Sequence, residues 1–378
     1  MPDDAAVRPL RITFILPAYY RTPIGGYRIV YEYADFLASR GHAVTIIFPR
    51  RQREAGADAS WLEPVKKRLW GLKTRFRNRP LVPWHSLHPN VRLRLVPDLS
   101  DRHIGDGDVV VATAWSTAPP VAALAQAKGS KFYLIQSHET WAGPEAEVDA
   151  TWRLPLHKIV VSKWLQAVGE RLEATGIRHI TNGIDLRRFR ITTPPGQRPL
   201  SIVTLNHAHE IKGVPDALAA LTRYHERCPA VPVSMFGAIP RGADIPGWIT
   251  YVANPTQDDL VEQVYNTHAI YLGASLQEGW GLPPAEAMAC GCAFVGTDIG
   301  GFREFATHGD TALLSPPGDR DALFQNLVRL TQDDRLRSRI QQRGTAHIRQ
   351  FTWATAGMAM EAYFQEHVTG TAIPAGHP

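Results

Sequence analysis

Two glutamates stand eight positions apart around a glycine-rich turn in the segment QEGWGLPPAEAMACGC, residues 277–292. The apolar run AIYLGAS before it predicts a strand. The run LPPAEAMACG predicts a helix beginning near Pro283, where proline's missing N–H costs nothing. Glu286 then lies in the first helical turn and Glu278 in the preceding loop. Helix-dipole stabilisation, worth ~0.3–1 kcal/mol, accounts for Glu286 alone. It does not account for the pair or for the bare backbone between the two carboxylates.

Three other loops carry residues suited to binding a phosphate or a sugar. Gly25 and Gly26 open the first long helix, where bare backbone can approach a phosphate, although an ordinary helix start explains them equally well. His138 directly follows a predicted strand, a position shared by structural and functional histidines. Lys212 lies in the loop NHAHEIKG and offers a point charge to a diphosphate, or belongs to a solvated surface loop.

The chain alternates apolar strands with helices, and the pattern restarts after ITTPPGQRP. Such alternation predicts an α/β fold with two doubly wound, Rossmann-like domains. The predicted ranges are 1–193 for the first domain, 198–353 for the second and 354–369 for a last helix that crosses back to the first domain. Ligands of such sheets bind beyond the carboxyl ends of the strands. The loops described above therefore predict a binding cleft lined from both domains.

Composition and charge exclude several classes of protein. The sequence is 44% hydrophobic and 20% charged, and no apolar run approaches the ~18 residues of a membrane-spanning helix. Its acidic start does not suit a secretory signal, and its three cysteines do not suit a fully paired disulfide framework or a zinc site. We therefore expect a cytoplasmic protein, without a metal, either free or on the inner face of the plasma membrane. The net charge of +5 suits nucleic acid, anionic lipid or phosphorylated substrates, but no nucleic-acid-binding motif is present.

Residues 61–80 hold much of the positive charge together with regularly spaced apolar residues, and they predict a basic amphipathic helix. Such a helix could lie on an anionic membrane surface or receive a lipid-phosphate acceptor. The alternative is a helix packed on the first domain with a solvated charged face. The residues concerned are Trp61, Leu62, Val65, Lys66, Lys67, Arg68, Leu69, Trp70, Leu72, Lys73, Arg75, Phe76, Arg77 and Arg79.

The stretch EGWGLPPAE, with GCAFVGTDIGGFREF and GDTALLSPPGD after it, resembles the second domain of family-four retaining glycosyltransferases with the GT-B fold. The spacing of Glu278 and Glu286 is that family's signature. The resemblance extends over about residues 11–365, through VVSKWL, ITNGID and the glycines of the first helix. A looser resemblance of the first half to bacterial rhamnosyltransferases of surface-glycan assembly implies rhamnosyl transfer beside mannosyl transfer.

The resemblance implies a metal-independent hexosyltransferase. It would move a sugar, with retention, from a nucleotide-diphosphate donor to a glycan or lipid-linked acceptor, without a cofactor or covalent enzyme intermediate. The first domain would bind the acceptor and the second the donor. Glu286 would hold the ribose, Lys212 would neutralise the diphosphate in place of a metal, and His138 and Glu278 would address the donor sugar. The implied catalytic residues are His138, Glu278 and Lys212; the implied donor-binding residues are Gly25, Gly26, His207, Lys212, Gly279, Trp280, Gly281, Leu282 and Glu286.

One position departs from the family pattern. Relatives carry Gly-Arg where this chain has Asn206-His207, so either a protonated His207 replaces the arginine or Lys212 and the glycine loops suffice. Two alternative functions stay open from the sequence: a sugar-nucleotide epimerase of the same fold, and a basic nucleic-acid-binding protein.

Overall fold

The computed structural model describes residues 8–50 and 82–368. The predicted basic helix at residues 61–80 lies outside the described residues. Within them, the chain forms two compact units. The first comprises residues 8–50, 82–160, 168–178 and 357–368, and the second comprises residues 161–167 and 179–356.

The first unit is built on a seven-stranded sheet in the order β3-β2-β1-β4-β5-β6-β7. Every neighbouring pair from β3 to β6 is parallel. The strands are β1 (Arg11–Ile15), β2 (Ala43–Pro49), β3 (Arg92–Val96), β4 (Val109–Ala112), β5 (Ser130–Ile135), β6 (His157–Val160) and β7 (Ile177–His179). The α-helices described in this half of the chain, residues 8–50 and 82–178, are α1 (Gly25–Ser39), α2 (Ala118–Ala122), α3 (Glu145–Trp152) and α4 (Lys163–Arg171).

The second unit is built on a six-stranded, wholly parallel sheet in the order β10-β9-β8-β11-β12-β13. Its strands are β8 (Ile202–Leu205), β9 (Val233–Gly237), β10 (Thr250–Ala253), β11 (Ile270–Gly273), β12 (Ala293–Thr297) and β13 (Ala312–Ser315). Its helices are α5 (Val214–Arg227), α6 (Gln257–Asp259, continued by a π-helix over Leu260–Tyr265), α7 (Leu282–Ala289), α8 (Arg320–Gln332) and α9 (Asp334–Ile348).

The central strands are apolar on both faces because helices cover both faces of a parallel sheet. All residues of the central strands β4, β11 and β12 are buried, as are those of the edge strand β13. The predicted α/β fold with two doubly wound sheets is confirmed. In each sheet the order reverses beside the first strand, between β1 and β4 and between β8 and β11. Ligands of doubly wound sheets bind at such reversal points.

The segment before β8 is grouped with the second unit from residue 179 onward, whereas the sequence prediction assigned residues up to 193 to the first domain. A buried hydrogen-bond network holds the end of this segment, residues 192–198, to the second unit. The Arg198 guanidinium donates to the backbone carbonyls of Thr193 and Tyr265, and Asn266 Oδ1 accepts from the Thr192 amide at 2.8 Å. Arg198 carries no hydrophobic periodicity, so pattern reasoning does not place it in a core.

The last helix, α10 (Trp353–His367), follows the turn at Phe351 and Thr352. From residue 357 onward it is grouped with the first unit. Gly357 packs so closely on the Phe36 ring that a Cβ there would overlap it. Glu361 of this helix lies 2.7 Å from Nε2 of buried His42.

Candidate functional site

The carboxyl ends of β8 and β11 position the principal charged pair of the second unit. Lys212 ends a short 3₁₀ turn after β8, and Glu278 lies in the loop after β11. Lys212 Nζ donates to both carboxylate oxygens of Glu278, at 2.7 and 2.8 Å. The Lys212 side chain is 21% exposed and that of Glu278 12%. The structure thus brings together two residues that sequence reasoning assigned to different parts of the donor.

Backbone contacts hold these two loops against each other. The Leu276 amide donates to the Ile211 carbonyl at 2.7 Å, directly beside the ion pair. Gly213 adopts φ +61°, and a Cβ at this position would overlap the Ala274 carbonyl oxygen. Glycine is therefore required here, because it tolerates both the left-handed backbone and the close approach.

Ser275 is a site residue that the sequence reasoning missed. Its hydroxyl donates to Oε1 of Glu278 at 2.9 Å, so the carboxylate is oriented from two sides. A shallow cavity in the second unit is lined by Ser275, Lys212 and Glu278 together with Thr204 and Phe302. The sequence offered one signal for this residue: Ser275 stands three residues before Glu278, the first glutamate of the signature.

Helix α7 begins one residue earlier than predicted, at Leu282. Gly281 precedes it with φ +113°, which lets Leu282 rather than Pro283 open the helix. Glu286 is consequently the fifth helical residue and lies beyond the first turn, so the predicted first-turn position is wrong. Its side chain is buried, with 2% exposure, and the Tyr265 hydroxyl donates to Oε2 at 3.4 Å.

Residues Gly279 to Leu282 leave little side-chain bulk around the turn. Trp280 is buried, its indole nitrogen donates to Thr181 Oγ1 at 2.7 Å, and its ring packs against Phe305. The predicted donor contact of Trp280 is through its backbone amide, and the burial of the side chain in the core is compatible with that prediction. The Gly279 carbonyl accepts from Trp164 Nε1 at 3.1 Å.

His207 lies near the charged pair formed by Lys212 and Glu278. Loss of water around the ring and the positive charge of Lys212 lower the pKa of His207, although the residue is exposed overall. Its Nδ1 accepts from the His209 amide at 3.0 Å. The lowered pKa favours the neutral form of His207 near pH 7, which supports the alternative in which Lys212 and the glycine loops carry the phosphate.

In the first unit, helix α1 begins at Gly25, as the sequence predicted. Gly25 faces open space, whereas a Cβ on Gly26 would lie 3.3 Å from Oε1 of Gln136. The amides of Tyr27 and Arg28 donate to the Ile24 carbonyl, at 3.1 and 3.0 Å. Bare backbone is thus present at Gly25, where the sequence predicted it.

His138 follows β5 and is buried. Its Nε2 lies 2.7 Å from Oδ1 of Asp149, and its ring packs edge-on against Trp152, with centroids 6.0 Å apart. Asp149 and Trp152 are three residues apart on α3, so one face of that helix orients the imidazole. Asp149 was missed by sequence reasoning because no spacing rule links it to His138.

Glu139, next to His138, ties two loops of the first unit. Its Oε2 accepts from the Trp115 amide at 2.7 Å. Burial raises the pKa of this carboxyl to about 7, and the Trp115 hydrogen bond opposes the shift. Glu139 is therefore a titrating group in the neutral range, although no motif singled it out.

Within residues 8–50 and 82–368, no group of three or more His, Cys, Asp or Glu side chains could hold a metal ion. Nor does this part of the chain contain a helix with the length and apolarity needed to cross a membrane.

Comparison with known proteins bears on both the fold and the family. Residues 199–333 match the family model "Glycosyl transferases group 1". The "O-antigen chain mannosyltransferase B" of Escherichia coli is 35% identical over 107 residues, 28% of this chain and 27% of that enzyme. The "Phosphatidyl-myo-inositol mannosyltransferase" of Mycolicibacterium smegmatis is 22% identical over 96% of this chain and 95% of that protein.

A solved structure of HepE from Anabaena in complex with UDP-glucose superposes with a TM-score of 0.69 at 15% identity. It covers 94% of this chain and 100% of that one. At this identity the likeness concerns the fold, and it confirms the predicted GT-B fold of two Rossmann-like, parallel-sheet domains.

Proposed function

We propose a donor, a mechanism and an acceptor for this chain, which is a glycosyltransferase of the retaining GT-B type. That predicted enzyme class is confirmed by the glycosyl transferases group 1 domain at residues 199–333 and by the mannosyltransferase relatives. Neither the epimerase nor the nucleic-acid-binding alternative receives support from the comparisons.

The donor is a nucleoside-diphosphate hexose, and it binds at the carboxyl ends of β8 and β11. The observation that carries this proposal is the pairing of Lys212 with Glu278 at the reversal point of the second sheet. A cation and a carboxylate oriented beside bare backbone suit the two ends of a sugar diphosphate. HepE, of the same fold, binds UDP-glucose in its solved structure.

Lys212 stabilises the leaving diphosphate. Cleavage of the anomeric C–O bond places negative charge on the phosphate, and a fixed cation there stabilises the transition state directly. Once Lys212 turns to the phosphate, Glu278 is released to accept hydrogen bonds from sugar hydroxyls, with Ser275 still bonded to it. The backbone amides around Gly279 and Gly281 contribute donors near the start of α7. No enzyme nucleophile is assigned.

Glu286 binds the ribose hydroxyls, a bidentate task suited to a carboxylate. The family resemblance additionally assigns donor contacts to His207 and, in the first unit, to Gly25, Gly26 and His138. These assignments remain predictions. The hydrogen bond from His138 to Asp149 supports an ordered imidazole.

The transferred sugar is mannosyl or rhamnosyl, and the acceptor is a glycan or lipid-linked glycan of the bacterial cell surface. Names of relatives support mannosyl transfer, and motifs of the first half support rhamnosyl transfer. The basic segment 61–80 is the proposed contact with an anionic membrane. Vesicle flotation with and without anionic lipid tests it, and binding that ignores lipid charge contradicts it.

The central experiment is a thermal-shift screen of UDP, GDP and dTDP without added metal. A nucleotide that binds the folded chain raises its melting temperature in proportion to ln(1 + [L]/Kd). The selected sugar nucleotide is then tested for transfer in EDTA, where we expect full activity because Lys212 takes the place of a metal ion. Absence of any shift with all three nucleotides refutes the donor proposal, and loss of transfer in EDTA refutes metal independence.

A further inference from the structure

Trp164 is bonded to the loop that carries Glu278. We call residues 278–281 the signature loop. The indole Nε1 of Trp164, the second residue of α4, donates to the Gly279 carbonyl at 3.1 Å. Trp164 and the signature loop belong to the same compact unit, although 115 residues separate the two bonded positions. A tryptophan outside the glutamate signature therefore holds the main chain directly after its first glutamate.

Two glycines after β12 pack closely against both partners of this contact. A Cβ on Gly300 would overlap the Trp164 side chain, and a Cβ on Gly301 would overlap the Glu278 carbonyl group. The two glycines are neighbours in the chain, so Trp164, the glycines and the signature loop form one close-packed layer. Protein interiors of this density transmit a displacement from one side chain to the next. A shift of the indole would therefore move the signature loop.

The Trp164 hydrogen bond also sets the direction of the next amide group. In a planar trans peptide the C=O and N–H groups point in opposite directions. Because the indole holds the Gly279 carbonyl, the Trp280 N–H points away from the indole. Among the described residues, none accepts from the amides of Gly279, Trp280 or Gly281. Backbone N–H groups in folded proteins are nearly always paired, so three unpaired ones in a row favour a place for ligand oxygens.

The side chain of the signature loop has partners of its own. Lys212 and Ser275 donate to the Glu278 carboxylate. The cavity lined by these three residues also reaches Pro283, on the other side of the signature loop. The loop therefore borders the cavity, and its charged side chain and its main chain are held by separate partners. Trp164 acts on the main chain alone.

We propose that Trp164 is a positioning residue for the transferred sugar, whose indole N–H fixes the signature loop so that Glu278 and the loop amides meet the sugar hydroxyls. The inference rests on the proposed function, in which Glu278 and these amides bind the sugar. That function assigns the diphosphate to Lys212 and the ribose to Glu286. Loss of the indole hydrogen bond should therefore weaken the sugar contacts and leave those of the nucleoside diphosphate in place.

The test compares binding of GDP with GDP-mannose, and of dTDP with dTDP-rhamnose, by calorimetry on the full chain. Trp164→Phe removes the N–H and keeps an aromatic ring. We expect the Kd of the bound sugar nucleotide to rise about three- to tenfold, and that of the matching diphosphate to change by less than about twofold. A residue that only packed the fold would change both constants alike. Trp248→Phe, whose ring stacks on His225 in the same unit, is the matched control and should change neither.

Gly300→Ala is a second variant that displaces the indole without removing a hydrogen-bonding group. Its Cβ would overlap the Trp164 side chain, so we expect the same selective loss of sugar-nucleotide affinity. The control is Gly247→Ala, because a Cβ on Gly247 meets nothing within 4 Å. This control should bind both nucleotides as the wild type does.

Equal changes of the two constants in Trp164→Phe, or no change in either, overturn the inference. Wild-type binding by Gly300→Ala also overturns it, as does failure of both variants to fold, because the contact would then be structural. Failure of the wild type to bind any of the nucleotides refutes the proposed function itself. Normal binding by the wild type with an unselective loss in the variants refutes the role of Trp164 alone.

Discussion

Replacing Glu278 by glutamine should tighten binding of a nucleoside diphosphate while slowing sugar transfer. Lys212 Nζ donates to both carboxylate oxygens of Glu278, at 2.7 and 2.8 Å, so an incoming diphosphate competes with Glu278 for one cation. Glutamine keeps the size of the side chain and removes its charge. Ser275 can still donate to the remaining carbonyl oxygen, so the loop keeps its polar contact.

The expected gain follows from the exposure of the pair. Two unit charges 4 Å apart interact by ~1 kcal/mol in water and ~4 kcal/mol at an effective dielectric constant of 20. The two side chains are 21% and 12% exposed, between surface and interior. Exposed pairs contribute ~0.2–1 kcal/mol net and hydrogen bonds to charged groups ~1.5–3 kcal/mol. We therefore expect a gain of about 1–2 kcal/mol, or a Kd for the diphosphate lowered about 5- to 30-fold.

Isothermal titration calorimetry with UDP and GDP measures this change at two salt concentrations, and the gain should shrink at high salt. The double variant Lys212→Met/Glu278→Gln is the control, because the gain requires the freed cation and should vanish with it. Turnover of Glu278→Gln should fall, since a neutral amide accepts hydrogen bonds from sugar hydroxyls less strongly than a carboxylate. Weaker diphosphate binding by Glu278→Gln, or an equal gain in the double variant, would refute the competition argument.

Three further predictions concern the remaining site residues. Lys212→Ala should slow transfer about 10²- to 10³-fold, because its proposed role is at the leaving group. Glu286→Ala should mainly raise the Kd of the nucleotide, at least about tenfold, because its proposed role is at the ribose. Wild-type turnover of Lys212→Ala, or an unchanged nucleotide Kd of Glu286→Ala, contradicts the assignment. Asp149→Asn should lower kcat without changing the nucleotide Kd, since Asp149 orients His138. The control is Asp98→Asn, which alters the carboxylate partner of His103 on the surface and should change neither kcat nor Kd. Equal kinetics in the two variants contradict the role of Asp149. Burial raises the pKa of the Glu139 carboxyl from 4.5 to about 7, so the folded chain binds an extra proton between those pH values and loses stability as pH rises through 7. The melting temperature of Glu139→Gln should therefore exceed that of the wild type at pH 8 and equal it near pH 4.5. A difference in melting temperature that does not depend on pH would be inconsistent with a raised pKa.

The layered fold was predictable because its signal is local. Apolar strands such as β4 and β11 are buried along their whole length, and a run of this kind is legible without knowing its neighbours. The restart of the pattern likewise predicted two sheets. The glutamate spacing was local too, since both residues flank one turn.

The contacts within the site were not predictable, because they join distant positions. Lys212 and Glu278 are 66 residues apart, and no periodicity relates them. Arg198 likewise assigns the preceding segment to the second unit through partners that only the folded chain brings near. The start of α7 was displaced by one residue because Gly281 adopts a left-handed conformation that the Pro-Pro pair did not reveal.

Gly213 also matters for genetics. A Cβ at this position would overlap the Ala274 carbonyl, and the loops of Lys212 and Glu278 meet at that point. Gly213→Ala would therefore separate the two charged residues without altering any ionisable group. Such an allele would distinguish loss of catalysis from loss of charge in the living cell. Conversely, a side chain at this position in a homologous gene would disturb the pairing of the two loops even where the lysine and the glutamates persist.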